Sequence, residues 1–281
     1  MSIVFSGRKL IIATKHKKEQ VIGPIVEKGL GVTSFVNDEF DTDILGTFTG
    51  EIERKLDPIE TVRQKCLMAM EKANCDLGIA NEGSFGSHPS VFFANADDEF
   101  VIFIDKENNL EIIARELSLN TNFNGREITN ENELLSFANS VNFPSHALIL
   151  RKSKYENTEI VKGINDINQL KAAFSFLSQV NEKVYVETDM RAMYNPTRMK
   201  VIELATIKLI DKINSLCPNC NKPGFSVTDT RKGLKCSLCG LPTNSTLSYI
   251  SVCQHCSYQK EDMFPNNKTT EEPMYCNYCN P

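Results

Sequence analysis

Short apolar runs alternate with segments of helical period from Leu10 to about Ser215. Leu10-Ile11-Ile12-Ala13-Thr14 reads as a first strand. Lys17 to Gly29 follows with Val21, Ile22, Ile25 and Val26 turned inward, a helix ending at Gly29 or Gly31. Gly23-Pro24 inside it predicts a kink or an interruption. Thr33 to Val36 reads as a second strand, and residues 40 to 58 have no clear period, so they read as a long loop or irregular hairpin. Asp57 then suits a helix N-cap, Pro58 the first turn and Glu60 the capping-box position. Ile59, Val62, Cys66 and Met70 recur at helical spacing, which makes Cys66 a small core residue rather than a nucleophile.

Asp76 to Ala80 is a strand that runs straight into Asn81-Glu82-Gly83-Ser84-Phe85-Gly86. Phe100 to Ile104 is strongly β-prone, with Leu110 to Leu117 returning as a hairpin partner. Helical patterns cover Glu131 to Val141 and about Asp166 to Val180, and strands are expected at His146 to Leu150 and Lys183 to Glu187. Asn195-Pro196 caps a last helix with Met199, Ile202, Leu209 and Ile213 inward. Alternating strands and helices with one inserted hairpin predict a layered α/β/α domain with a mixed sheet over residues 1–216.

A different composition begins at Cys217. Of ten cysteines only Cys66 and Cys75 precede it, and the other eight come as Cys217/Cys220, Cys236/Cys239, Cys253/Cys256 and Cys276/Cys279. Two residues between thiolates let both turn toward one ion through a tight knuckle, so residues 217–281 read as two four-cysteine zinc ribbons. The direct assignment gives Cys217, Cys220, Cys236 and Cys239 to one structural zinc and the remaining four to another; an interleaved cross-brace keeps the same ligands and exchanges the pairs. No Gly/Ser linker separates this module from the domain before it.

Overall charge narrows the partners. Lys and Arg total 31 against 36 Asp and Glu, which disfavours a duplex-coating protein. The cysteine-rich tail holds 6 Lys/Arg against 5 Asp/Glu, and each four-thiolate zinc site adds a formal charge of about −2. Protein contact or structural support is therefore the better expectation for the tail than nucleic-acid binding. The chain has no long apolar run and no export-type leader, so a cytoplasmic protein without a membrane span is expected.

Polar residues cluster where strands should end, the place at which α/β sheets bind ligands. Thr14, Lys15, Lys17 and Lys18 open a helix and suit a phosphate; the alternative is a solvated first turn. Glu82 between a strand and glycines can hold Mg²⁺ or Mn²⁺ or orient water; the alternative is a glycine-rich turn. Glu187 and Asp189 alternate onto one side, where they can share that ion, with Arg191 and Arg198 as phosphate clamps; the alternative is an Arg–carboxylate network. Asp41, Asp43 and Glu51 sit on the long loop as a plausible lid.

IATKHKKEQVI, FDTDILGTFTGEIER, IANEGSFGSHPS, ETDMRAMYNPTRM and the CPNC…YCNYCNP tail together resemble a bacterial family known only as domain of unknown function 6671. Beneath that lies a weaker similarity. ATKHKKEQVI, Glu60-Thr61-Val62-Arg63 and Asp76 to Gly83 look like the inosine/xanthosine triphosphate pyrophosphatase group, an α/β fold that cleaves nucleoside triphosphates with Mg²⁺. That resemblance implies a phosphate site at Ala13-Thr14 and an acidic role for Glu82. His16 and Glu19 replace the group's Asn and Lys, Lys18 being the nearest substitute, and Arg198 aligns with an Arg near the start of its last helix. The leading expectation is thus a divalent-metal-dependent hydrolase of a nucleotide or other phosphoester. The alternatives are a non-catalytic nucleotide sensor and a protein- or nucleic-acid-binding module.

Overall fold

In the computed structural model, which describes residues 4–37, 56–91, 93–156, 158–179 and 181–281, the first strand forms where the apolar run predicts. β1 (Lys9–Ala13) lies between β2 (Thr33–Phe35) and β3 (Leu77–Ser87), parallel to both. β4 (Asn95–Asp105) and β5 (Leu110–Ser118) extend the sheet antiparallel, in the order β2-β1-β3-β4-β5. The sheet is mixed, as expected. Asp41, Asp43 and Glu51 fall outside the described residues.

Alternation along β1 assigns the helices to opposite faces. Ile11 and Ala13 join Val62, Cys66, Ala69 and Met70 of α2 (Pro58–Lys72) in one apolar cluster. Ile12 points the other way and meets Gly23 of α1 (Glu19–Leu30). Pro24 does not interrupt α1, because burial of Ile22, Val26 and Leu30 outweighs one lost backbone bond. The helix closes at Gly31, whose φ of 71° is the left-handed cap position. Asp57 accepts the N–H groups of Ile59 and Glu60, as a cap should; Glu60 turns instead to Arg63 and Gln64.

Beyond Ala80 the outcome differs from the glycine-rich turn weighed above. β3 continues through Ser87 in unbroken register with β4, from Leu77 opposite Asp105 to Ser87 opposite Asn95. Glycine weakens a strand, yet a continuous partner overrides that preference here. Gly83 is required in any case: a Cβ there would collide with the side chains of Glu99 and Arg198.

A second, wholly antiparallel sheet has the order β6-β9-β7-β8, formed by β6 (Gly125–Ile128), β7 (Leu148–Arg151), β8 (Ile160–Ile164) and β9 (Val184–Thr188). α3 (Glu131–Ser140) and α4 (Ile167–Ser178) cover it, packing Leu134, Phe137, Leu170 and Phe174 against Leu148, Leu150, Val184 and Val186. Beside the expected mixed sheet, the α/β unit therefore carries a second sheet. β6 and β8 are short, and each contains a glycine and a charged residue, so their pattern does not announce them. α5 (Pro196–Asn214) follows, its first turn capped by Asn195 Oδ1 accepting the Arg198 N–H at 3.0 Å.

The chain divides into two compact units, the first ending at Ile210 and the second Asp211–Pro281, so the division falls inside α5. In the second unit β10 (Ser226–Lys232), β11 (Thr246–Val252) and β12 (Gln259–Met263) form an antiparallel sheet. Among the described residues, no helix is long and apolar enough to cross a membrane.

Candidate functional site

Each cysteine pair makes the same local turn. The N–H groups of Asn221, Gly240, Ser257 and Asn280 bond the carbonyls of Cys217, Cys236, Cys253 and Cys276, four residues back. Asn221, Gly240 and Ser257 adopt positive φ values of 57°, 74° and 56°, the left-handed step that turns both thiols of a pair to one side.

Interleaving, not chain order, groups the pairs. Cys217, Cys220, Cys253 and Cys256 form one set and Cys236, Cys239, Cys276 and Cys279 the other. This corrects the sequential assignment: the sheet β10-β11-β12 brings the first knuckle to the third, and a bridge between Cys236 and Glu271 brings the second to the fourth. Sulfur–sulfur separations are 3.7 and 3.6 Å in the first set and 3.9 and 3.6 Å in the second. A tetrahedron with metal–sulfur bonds of about 2.3 Å has edges near 3.8 Å, whereas a disulfide needs about 2.05 Å. Both sets therefore fit a zinc ion. In each set one thiol is pulled down and another pushed up: the Asn219 amide, with the Tyr258 backbone, pulls Cys256 down to about 6 and the N–H groups of Cys239 and Leu238 pull Cys236 to about 7, while the neighbouring thiols, with burial, hold Cys220 and Cys279 up at about 12.

The candidates in the α/β unit separate into two groups. Opposed residues of an antiparallel pair share a face, so Gly83 and Glu99 lie on one face while Glu82 and Phe100 lie on the other. Glu82 pairs with Lys65 of α2, and both are buried. On the Glu99 face, Arg198 Nε donates to Glu99 Oε1 at 2.7 Å and its guanidinium stacks 4.9 Å from the Phe85 ring. Asn81 donates to Glu99 Oε2 at 2.8 Å and accepts from Lys18 Nζ at 2.8 Å. Asp97, fully buried, completes the group, with no donor in reach of either oxygen among the described residues. Burial, then the neighbouring Glu99, pushes its carboxyl up to about 9, so it carries a proton at neutral pH. Burial, then the nearby Arg198, pushes the Lys18 ammonium down to about 7.

Glu187, Asp189 and Arg191 belong elsewhere. Glu187 is bound by Arg151, and its pKa is raised by burial. Asp189 accepts the Gly163 N–H at 3.0 Å and an Arg191 nitrogen at 2.6 Å, the arginine lying over the Tyr194 ring. Glu82, Glu187 and Asp189 thus do not form one ion site. Among the described residues, the groups of three or more His, Cys, Asp or Glu close enough to share an ion are the two cysteine sets, and nothing in the arrangement of Glu82, Glu187 and Asp189 supports a shared Mg²⁺ or Mn²⁺. Thr14, Lys15 and Lys17 line a cleft of about 250 Å³ with His16, Glu19, Val36 and Asn37. Lys18 does not line it. His16 and Lys17, at φ of 66° and 61°, precede Lys18, which points into the buried group.

Residues 65–281, which hold Lys65, Asn81, Glu82, Asp97, Glu99, Arg198 and all eight paired cysteines, match a family described as a domain of unknown function (DUF6671). The chain belongs to this family. No curated protein matches it. Of the charge cluster in this DUF6671 chain, sequence reasoning located Lys18, Glu82 and Arg198 and missed Lys65, Asn81, Asp97 and Glu99. Two signals were present. Lys65 falls between Val62 and Ala69 on the buried stripe of α2, and Asp97 and Glu99 alternate into the same face as Val101 and Phe103.

Proposed function

We propose that the α/β unit binds a phosphorylated small molecule, a nucleotide or other phosphoester, at the carboxyl end of β1 beside the middle of β3, and that the cysteine unit carries two structural zinc ions. The observation that carries this reading is Lys18. Its ammonium is buried where β1 passes into α1, hydrogen-bonded to the neutral Asn81 amide, and no carboxylate pairs with it among the described residues. With Asp97 protonated, Lys18, Lys65 and Arg198 face Glu82 and Glu99 among the described residues, an excess of one positive charge there when Lys18 is ionised. A buried excess of that kind is costly, and an anion would relieve it. The cleft at Thr14, Lys15 and Lys17 is of a size to take a phosphate. The similarity of the opening strand and of the Asp76–Gly83 segment to the inosine/xanthosine triphosphate pyrophosphatase group supports the same edge.

Binding without turnover is favoured over metal-assisted hydrolysis, because the acidic residues are held by Lys65, Arg151 and Arg191 instead of converging on one ion. Calorimetric titration of the zinc-loaded chain with inorganic phosphate and nucleoside mono-, di- and triphosphates tests the reading. Binding should be tighter at pH 6 than at pH 8.5, since an anion favours charged Lys18, and Lys18→Met should weaken it about tenfold or more. Absence of binding across the panel, or binding indifferent to Lys18→Met in a folded variant, would sink it. Metal-dependent phosphate release in the same samples would instead revive the hydrolase.

A further inference from the structure

Burial separates the two cysteine sets. Around Cys217, Cys220, Cys253 and Cys256, Phe225 packs with Cys217 and Cys253 in an apolar cluster, and Tyr258 meets the Phe225 ring at 5.9 Å. A side-chain donor spans the two knuckles: Asn219 of the first bonds Cys256 Sγ of the third at 3.5 Å. The set of Cys236, Cys239, Cys276 and Cys279 has no apolar cluster of this kind among the described residues. Cys239 is exposed, and its surroundings stand out in solvent, with Leu238 at 73%, Met274 at 59% and Tyr278 at 67% exposure. The donors toward Cys236 are backbone N–H groups, those of Cys239 and of Leu238, the latter at 3.4 Å. Cys276, by contrast, is fully buried, with its sulfur 3.6 Å from that of Cys239.

We infer that the second set is a thiol-modification site, at which peroxide oxidises Cys239 and Cys276 and releases the ion, while the first set keeps its ion, with Asn219 as its positioning residue. The Cys239 thiolate attacks one peroxide oxygen. The O–O bond breaks, the departing hydroxide takes a proton from solvent to become water, and the sulfur is left as a sulfenic acid. Cys276 Sγ then attacks that sulfur; an S–S bond forms, the S–O bond breaks, and the second hydroxide leaves as water after gaining a proton. Two thiolates have lost two electrons and the peroxide has gained them. The disulfide would leave Cys236 and Cys279 as the remaining thiolates to hold an ion, too few to retain it, and a reductant thiol reverses the step by exchange. Enclosure sets the order of attack, because a sulfur must be reached before it reacts. Asn219 acts on the first set by holding the Cys256 lone pair in a hydrogen bond across the knuckles, as an outer-shell partner does in other metal sites.

The experiment uses the full zinc-loaded chain, dilute hydrogen peroxide and a chromogenic zinc chelator, with peptide mass mapping of the products. One of two ions should leave in a first phase about ten times faster than the second, and the first disulfide mapped should join Cys239 to Cys276. Asn219→Ala and Asn219→Asp should speed the slow phase several-fold and leave the fast phase unchanged, while Asn219→Gln, which restores a donor, should recover most of the difference. Release in a single phase, or first modification among Cys217, Cys220, Cys253 and Cys256, would overturn the inequality of the sites. A slow phase unmoved by both Asn219→Ala and Asn219→Asp would overturn the role given to that side chain.

Discussion

Beside its cysteines, the buried apolar side chains of the Asp211–Pro281 unit are Ile213, Pro223, Phe225 and Leu234 among the described residues, while the α/β unit buries Phe5, Phe103, Phe137 and long aliphatic runs on both of its sheets. A unit of some 70 residues with so little apolar burial needs a cross-link to offset its conformational entropy, and eight thiols at tetrahedral spacing can supply one through metal. The α/β unit has the opposite economy. Its core is large enough to tolerate Lys18, Lys65, Glu82, Asp97, Glu99 and Arg198 out of water, which a small core could not.

Removing metal should expose the contrast most strongly. Structural zinc contributes about 10–16 kcal/mol to small domains, so chelation should unfold β10–β12 while the α/β unit keeps its cooperative melt. Hydrogen exchange would read both at once. Equal loss of protection in the two units would break the comparison. The pairing offers the next largest effect. A Cys217→Ser, Cys253→Ser double variant should keep one zinc per chain, whereas Cys217→Ser with Cys236→Ser should impair both sites. Metal analysis showing the reverse would restore the sequential assignment.

Within the α/β unit, Arg198→Met leaves Glu99 buried without its guanidinium and should cost about 3–5 kcal/mol in urea unfolding. Adding Glu99→Leu should return most of that loss, and failure to do so would mean that the arginine matters through its other contacts, with Met190 O and Phe85. The smallest effect is a pH dependence. Asp97 at about 9 against an ordinary 3.8 keeps a proton in the native state that the unfolded chain releases, so its contribution to stability falls as pH rises through that window. Lys18 at about 7 against 10.5 acts in the opposite direction, but only above pH 7, where the unfolded chain holds the extra proton. Relative to the parent, Asp97→Asn should therefore gain a few degrees in Tm between pH 5 and 7. Parallel Tm curves for the two proteins would show that Asp97 is ionised in the fold.

Local chemistry alone made much of this legible. Asp57-Pro58 and Asn195-Pro196 announce their helices because a cap needs nothing beyond its own turn. The four cysteine pairs are readable for the same reason: a Cys-x-x-Cys knuckle closes on its own backbone. Site residues joined across the sheets were harder. Glu82, Glu187 and Asp189 look equivalent in the sequence, yet Lys65, Arg151 and Arg191 hold them apart.

The sequence by itself determined the α/β character of the first two hundred residues, the position of most helices and the four Cys-x-x-Cys pairs of the second unit, all properties set by neighbours within about one turn or one strand. Tertiary structure decided that the strands split into two sheets, that β3 runs through its glycines, that the knuckles interleave, and that Lys18, Asn81, Asp97, Glu99 and Arg198 meet. Each of these is a choice among partners far apart in the chain. Pairing energies between strands and between buried charges depend on which surface is opposite, and that is fixed only when the chain has packed.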